Sequence, residues 1–239
     1  MTNHNPARAK ADSPVAHHGE ETDVKLAPAG ARTPKDPSAF WLPLEVALLA
    51  CFLVVGIQTL LIKHFAVNVP YWDEWSNFRL LQLYNDGTLT LQYLFLPHNE
   101  HRIFFPRLVS IGLYVLVGEN HPVAQMLLSA LIMGLCAGVW AFTLVRLKVS
   151  PWVALLASLA LTSPAQWENI LNGFQTCFWM MDCSAVLAIC FVSLPVRVSW
   201  GTVAACAVAC FVSTFSLASG LVSWGACGAI LALRLWLDA

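Results

Sequence analysis

The chain has 239 residues, a formal net charge of −1, 58% hydrophobic and only 11% charged residues. A soluble domain carries roughly a quarter charged residues, so this composition points to an all-α integral membrane protein. The near-neutral charge gives no basis for a nucleic-acid partner or an acidic one.

Residues 1–39 are rich in Pro, Ala and charge and poor in large apolar side chains. Such a segment buries too little surface to offset its ordering entropy and is expected to be a disordered tail, with His17-His18 a solvated pair. It has no short apolar core of the kind a cleavable signal peptide needs. From Val46 to Ile62 the chain is uncharged and apolar, between Trp41 and Lys63-His64. With its flanks, 40–66, it reaches the roughly 20 residues that span a hydrocarbon core and is expected to be the first transmembrane helix. Glu45 near its start snorkels. Arg8, Lys10, Lys25, Arg32 and Lys35 precede this helix and predict a cytoplasmic N-terminus.

Residues 67–121 form a long polar connection, expected on the extracytoplasmic side. Within it, Trp75, Phe78, Leu81 and Tyr84 recur every three residues, which predicts an amphipathic juxtamembrane helix ending at Asn85-Asp86-Gly87. The apolar run 103–117 is about 15 residues long, is broken by Pro106-Arg107 and ends at Gly118-Glu119-Asn120. It is short for a span and reads as a juxtamembrane or re-entrant helix.

Five further apolar segments follow over 122–239, at about 122–145, 152–166, 174–194, 200–218 and 221–237. If 103–117 does not cross, Arg146, Lys148, Arg197 and Arg234 all fall on the cytoplasmic side, as the positive-inside rule prefers. About six transmembrane helices result, with the loop QWENILNGFQ on the same face as 67–121. The segment 152–166 contains Pro164 and is the shortest of the six. The eight cysteines, Cys51, Cys136, Cys177, Cys183, Cys190, Cys206, Cys210 and Cys227, lie in apolar segments without a CxxC or a Cys/His grouping. They read as small packing residues, neither a disulfide framework nor a metal site.

Chemistry-bearing residues concentrate in the two polar loops. Asp73 and Glu74 are adjacent carboxylates bracketed by Trp72 and Trp75. In a poorly hydrated setting one of them can act as general base on a hydroxyl; a solvated acidic turn with interfacial tryptophans is the alternative. His98, Glu100, His101, Arg102 and Arg107 form a dense cluster. On a helix His98 and His101 share a face. With Glu100 or Asp73 they complete a three-ligand site for a divalent cation; with Arg102 and Arg107 they clamp a phosphate. Glu168 and Gln175 belong to the second loop, and Asp182 lies deeper, where an intramembrane carboxylate is a functional candidate.

These features resemble the N-terminal membrane module of the GT-C superfamily, the polytopic glycosyltransferases that include protein mannosyltransferases and aminoarabinose transferases. The resemblance rests on the acidic pair Asp73-Glu74 after the first span and the His98 to Pro106-Arg107 stretch. It rests also on the Gly118–Asn120 linker and the second-loop carboxylate Glu168. The stretches HNEHRIFFPRL and QWENILNGFQ are similar to those of bacterial membrane proteins of that superfamily. The resemblance implies a polyprenyl-phosphate-linked sugar donor whose phosphate meets Arg102, Arg107 and the histidines. It implies Asp73 as general base, with Glu74 or Glu168 orienting substrate or holding a cation. Superfamily members usually have more spans, so it also implies a partner membrane chain supplying them, or an N-terminal part of a longer enzyme. A non-catalytic membrane subunit that binds lipid phosphate is the reading from another class.

Overall fold

The structure, a computed structural model, describes residues 38–195 and 197–237. The expected tail, with its histidine pair, therefore lies outside the described residues up to position 37. The described residues are helical throughout, with no β-strand among them. The helices are α1 (Ser38–Phe65), α2 (Ser76–Asn85), α3 (Leu91–Phe95), α4 (Phe104–Val117), α5 (Pro122–Arg146), α6 (Pro151–Leu159), α7 (Trp167–Ile170), α8 (Thr176–Ser193), α9 (Trp200–Thr214) and α10 (Val222–Leu237).

Four stretches are long and apolar enough to cross a membrane: Trp41–Phe65, Pro122–Arg146, Gly173–Ser193 and Ala218–Leu237. The other two expected spans form shorter helices. Segment 152–166 yields α6, of 9 residues, because the residue before Pro164 is driven to an extended conformation (Ser163 ψ 130°) and the helix tightens into a 3₁₀ turn at Ala160–Thr162. Segment 200–218 yields α9, of 15 residues, which ends at Thr214.

Helix α5 is the central element, and small side chains let its neighbours approach. Gly134 and Gly138, four residues apart, face α1: a Cβ on Gly134 would strike Val55, and one on Gly138 would lie 3.1 Å from the Ala47 carbonyl oxygen. This is the close helix approach that small residues at i and i+4 permit. Ile62 of α1 packs with Met126 of α5, whereas Ala47 of α1 meets Gly138, so the two helices run antiparallel. The connection 66–121 thus leaves and re-enters at one end of the bundle, and α4 does not traverse it.

Helix α8 runs parallel to α5, with Ser129 bonded to Thr176 at 2.6 Å and Met133 packed on Trp179. The chain between them travels the length of α5 in pieces. Ala154 sits beside Ala141 and Val145, the Ser158 hydroxyl donates to the Ala137 carbonyl at 3.3 Å, and Ile170 of α7 reaches Met126. Helix α9 then returns antiparallel to α8, with the Ser213 hydroxyl donating to the Met181 carbonyl at 3.0 Å and Cys206 near Ala188 and Val192. Helix α10 follows α8 in direction, from Ser219 beside Met181 to Arg234, which donates to the carbonyls of Val192 and Pro195, each at 2.7 Å.

The predicted amphipathic helix is present as α2 and stops at Asp86-Gly87, where Gly87 takes φ 67°. Its aromatic stripe faces away from the protein: Trp75, Phe78 and Tyr84 are exposed, and Asn77, Leu80 and Leu81 are buried. A polar ladder holds it down, with Asn77 donating to Gln125 (3.3 Å) and Gln125 to Ser110 (3.1 Å), joining α2, α5 and α4. Aromatic rings Phe95, Phe104, Phe105, Phe211 and Phe215 seat α3 and α4 over the end of α9. The first loop, the second loop and the turn after α9 therefore share one end of the bundle.

Candidate functional site

The site begins at a single backbone conformation. Trp72 has φ 47°, in the left-handed region that a bulky residue rarely adopts. Strain of this kind is held by surrounding structure and concentrates at functional positions. Here it opens the 3₁₀ turn Trp72–Trp75, on which Glu74 is buried and Asp73 is exposed.

Glu74 turns inward and is 1% exposed. Its carboxylate accepts the Tyr71 amide at 2.7 Å and the Gly173 amide of the second loop. Burial pushes its pKa above the ordinary value, and the amides of Tyr71, Gly173 and Phe174 draw it part of the way back. Gly173 is required by this approach, since a Cβ there would lie 2.7 Å from Glu74 Oε1. Asn172, buried beside it, accepts the Phe174 amide at 3.0 Å and holds the turn that presents Gly173. Glu74 is thus a tether between the two loops.

Asp73 turns outward, with its side chain 48% exposed, and its Oδ1 lies 3.4 Å from Nε2 of His98. Nε2 makes no aligned hydrogen bond there. The His98 ring rests on Phe174, centroids 4.9 Å apart, so both loops position it. His98 and His101 do not share a helix, as the spacing led one to expect. They close a tight turn through reciprocal backbone bonds of 2.7 and 2.9 Å, with Asn99 at φ 51°, and α4 opens only at Phe104. Asparagine tolerates that left-handed position, which lets four residues reverse the chain. Paired residues of an antiparallel bridge project to one side, so the two imidazoles remain neighbours in a different geometry.

The two arginines separate. Arg107 is buried, and its Nη1 donates to the carbonyls of Tyr93 (3.0 Å), Leu94 (2.9 Å) and Leu96 (2.5 Å), while the guanidinium covers the Tyr93 ring at 5.5 Å. It caps the carbonyl end of α3, the favourable place for a cation at a helix C-terminus. Arg102 is exposed and makes only a long contact, 3.5 Å, to the Phe95 carbonyl. Of the expected phosphate clamp, Arg102 faces solvent and Arg107 is committed inside.

Glu100 is exposed. Glu168 lines a separate cavity of about 390 Å³ with Phe65, Tyr71, Trp167 and Asn172, and is not gathered with Asp73 and His98. Gln175 follows Phe174, and its Oε1 is buried without a hydrogen-bond partner; the same holds for Nδ1 of His101. Asp182 faces a cavity of about 220 Å³ between α5, α6 and α8, lined also by Trp140 and Trp179. Among the described residues, the only group of three or more His, Cys, Asp or Glu ligand atoms within 4.8 Å is Cys206, Cys210 and Cys227. The histidine cluster with Glu100 or Asp73 is not such a group.

Several residues that build the site carried no chemical signal in the sequence. Gly173, Asn172 and Phe174 lie inside the quoted QWENILNGFQ stretch. Gln125 and Ser129, polar positions within a long apolar segment, mark the face of α5 that meets the loops. Comparison with family models, curated proteins and solved structures yields no match for the chain.

Proposed function

We propose that the chain is a membrane glycosyltransferase, or the N-terminal part of one, that moves a sugar from a polyprenyl-phosphate donor to an acceptor hydroxyl. The observation that carries this reading is Asp73: a half-exposed carboxylate beside His98, on a strained turn, at the junction of two loops joined by Glu74. Asp73 takes the proton of the acceptor hydroxyl, the acceptor oxygen attacks the anomeric carbon with inversion, and the sugar–phosphate bond breaks toward the lipid phosphate. His98, His101 and Arg102 meet the departing phosphate, with unpartnered Nδ1 of His101 a further polar contact to it and Oε1 of Gln175 available to accept from a sugar hydroxyl. Glu74 acts by position and does not touch substrate in this scheme.

Six crossings complete the reading: α1, α5, the broken segment 151–170, α8, α9 and α10, with the N-terminus cytoplasmic and both loops at the outer face of the inner membrane. The antiparallel pairing of α1 with α5 and the clustering of Arg146, Lys148, Arg197 and Arg234 toward the opposite end support it.

A second reading, a non-catalytic subunit that binds lipid phosphate or a partner chain, is favoured by the internal commitment of Arg107 and Glu74. Saturable binding of a polyprenyl-phosphate sugar to the purified chain, weakened by Arg102→Ala, and transfer lost in Asp73→Asn support the enzyme. A folded protein that binds no such lipid moves the assignment to the subunit.

A further inference from the structure

Cys206 and Cys210 lie four residues apart on α9 and so share one face of that helix. That face meets Cys227 of α10, and the three sulfurs fall within 4.8 Å of one another. All three side chains are buried, at 5%, 0% and 3% exposure. We propose that they form a three-sulfur site for a soft monovalent metal ion, Cu(I), independent of the loop site.

The geometry suits three-coordination. Three sulfurs bound to one ion at about 2.3 Å, at the corners of a triangle, are about 4 Å apart. A structural zinc site takes four ligands, and the group here contains three, all sulfur, with no imidazole or carboxylate among them. Soft thiolate donor sets select Cu(I), zinc or iron–sulfur clusters, and a count of three ligands favours Cu(I) among them.

The surroundings are Ala188, Val192 and Ala209, with Leu187, Leu231 and Ile230 packed against them. A thiol in an apolar setting holds its proton until a metal displaces it. Cu(I) binding replaces three S–H bonds with three Cu–S bonds, the three protons leave to bulk water, and no electron is transferred.

Position supplies a route. Cys227 lies five residues after the start of α10, and Cys210 four before the end of α9. Cys210 and Cys227 therefore sit roughly 6–8 Å, and Cys206 roughly 12 Å, from the turn 216–221. The apolar stretch Ala218–Leu237, which includes α10, is the least buried of the four long ones.

The test is a titration of the full chain, in detergent, reduced and anaerobic, with Cu(I) presented by a competing chromophoric chelator. One ion per chain is expected, with a sulfur-only first shell by X-ray absorption. Cys206→Ser, Cys210→Ser and Cys227→Ser should each weaken binding at least about tenfold, a difference of about 1.4 kcal/mol. Cys136→Ser/Cys183→Ser should leave it unchanged. A second readout is stability: Cu(I) should raise the unfolding midpoint of the wild-type chain and leave that of Cys206→Ser/Cys210→Ser/Cys227→Ser unchanged. Binding that persists in the triple variant, or no Cu(I)-dependent rise in the wild-type midpoint, overturns the site and leaves the cysteines as packing residues. Tighter binding of Zn²⁺ than Cu(I) by the same three cysteines overturns the choice of ion.

Discussion

Glu74 and Gly173, 99 positions apart in the chain, are joined by a hydrogen bond from the Gly173 amide to the buried Glu74 carboxylate. Removing the acceptor by Glu74→Ala strands the amides of Tyr71 and Gly173. Each stranded group costs about 1–3 kcal/mol, so the unfolding midpoint in detergent should fall clearly. Gly173→Ala should also destabilise, because its Cβ would lie 2.7 Å from Glu74 Oε1 and 2.9 Å from Gln125 Cβ. Wild-type stability in both variants would mean the tether contributes nothing.

The same carboxylate predicts a pH dependence. Burial raises the Glu74 pKa, so the folded state holds its proton more tightly than the unfolded chain. Its contribution to stability is then largest below the ordinary carboxylate range. It declines as pH rises through that range, and levels off once the folded-state pKa is passed. Unfolding midpoints measured against pH should show this decline in wild type and a flatter profile in Glu74→Gln. Parallel profiles would contradict the assignment.

Arg107 and Arg102 should behave differently. Arg107→Ala leaves three carbonyls at the end of α3 without their donor, and hydrogen exchange or proteolysis over 91–96 should rise, with about 1–3 kcal/mol of stability lost. Arg102→Ala should leave the midpoint unchanged within about 0.5 kcal/mol and weaken binding of a polyprenyl-phosphate sugar. The reverse pattern would return Arg107 to the phosphate.

Asp73→Asn should lower sugar transfer by about 10²–10⁴-fold, the usual contribution of a general base, with the donor still bound and the midpoint unchanged. Full activity in that variant would remove Asp73 from the chemistry.

Gly134→Leu should disrupt the α1–α5 contact, since even a Cβ at that position strikes Val55. Gly112→Ala, at a glycine with open space around it, is the matched control. Equal midpoints would show that the close approach is dispensable.

Much of the fold was legible in the sequence. Apolar run length located the four long helices, the three-residue spacing from Trp75 to Tyr84 located α2, and basic residues after α5 grouped the loops together. What stayed hidden was pairing. The spacing of His98 and His101 suits a helix face, but a tight turn uses the same residues, and only the reciprocal backbone bonds decide between them. Arg107 reads as a free cation until α3 is seen to end against it. Glu74 and Asp73 are both carboxylates in the sequence, and burial in the fold separates them. Cys227 joins Cys206 and Cys210 only because α10 folds back on α9. The 3₁₀ turn that shortens α6 was foreshadowed by Pro164, but its path along α5 was not.

The bond between the two loops also sets an order of events in biosynthesis. At about 5–20 residues per second, a ribosome adds Gly173 roughly 5–20 s after Glu74. Throughout that interval Glu74 has its neighbour Tyr71 for an acceptor's partner and nothing from the second loop, and Gln125 arrives midway to take up Asn77. The first loop is therefore assembled in two stages, half-built when α5 inserts and locked only when the start of α8 emerges. A nascent chain halted between those stages would present an unfinished loop, with Glu74 lacking the Gly173 amide, as a recognisable target for membrane quality control.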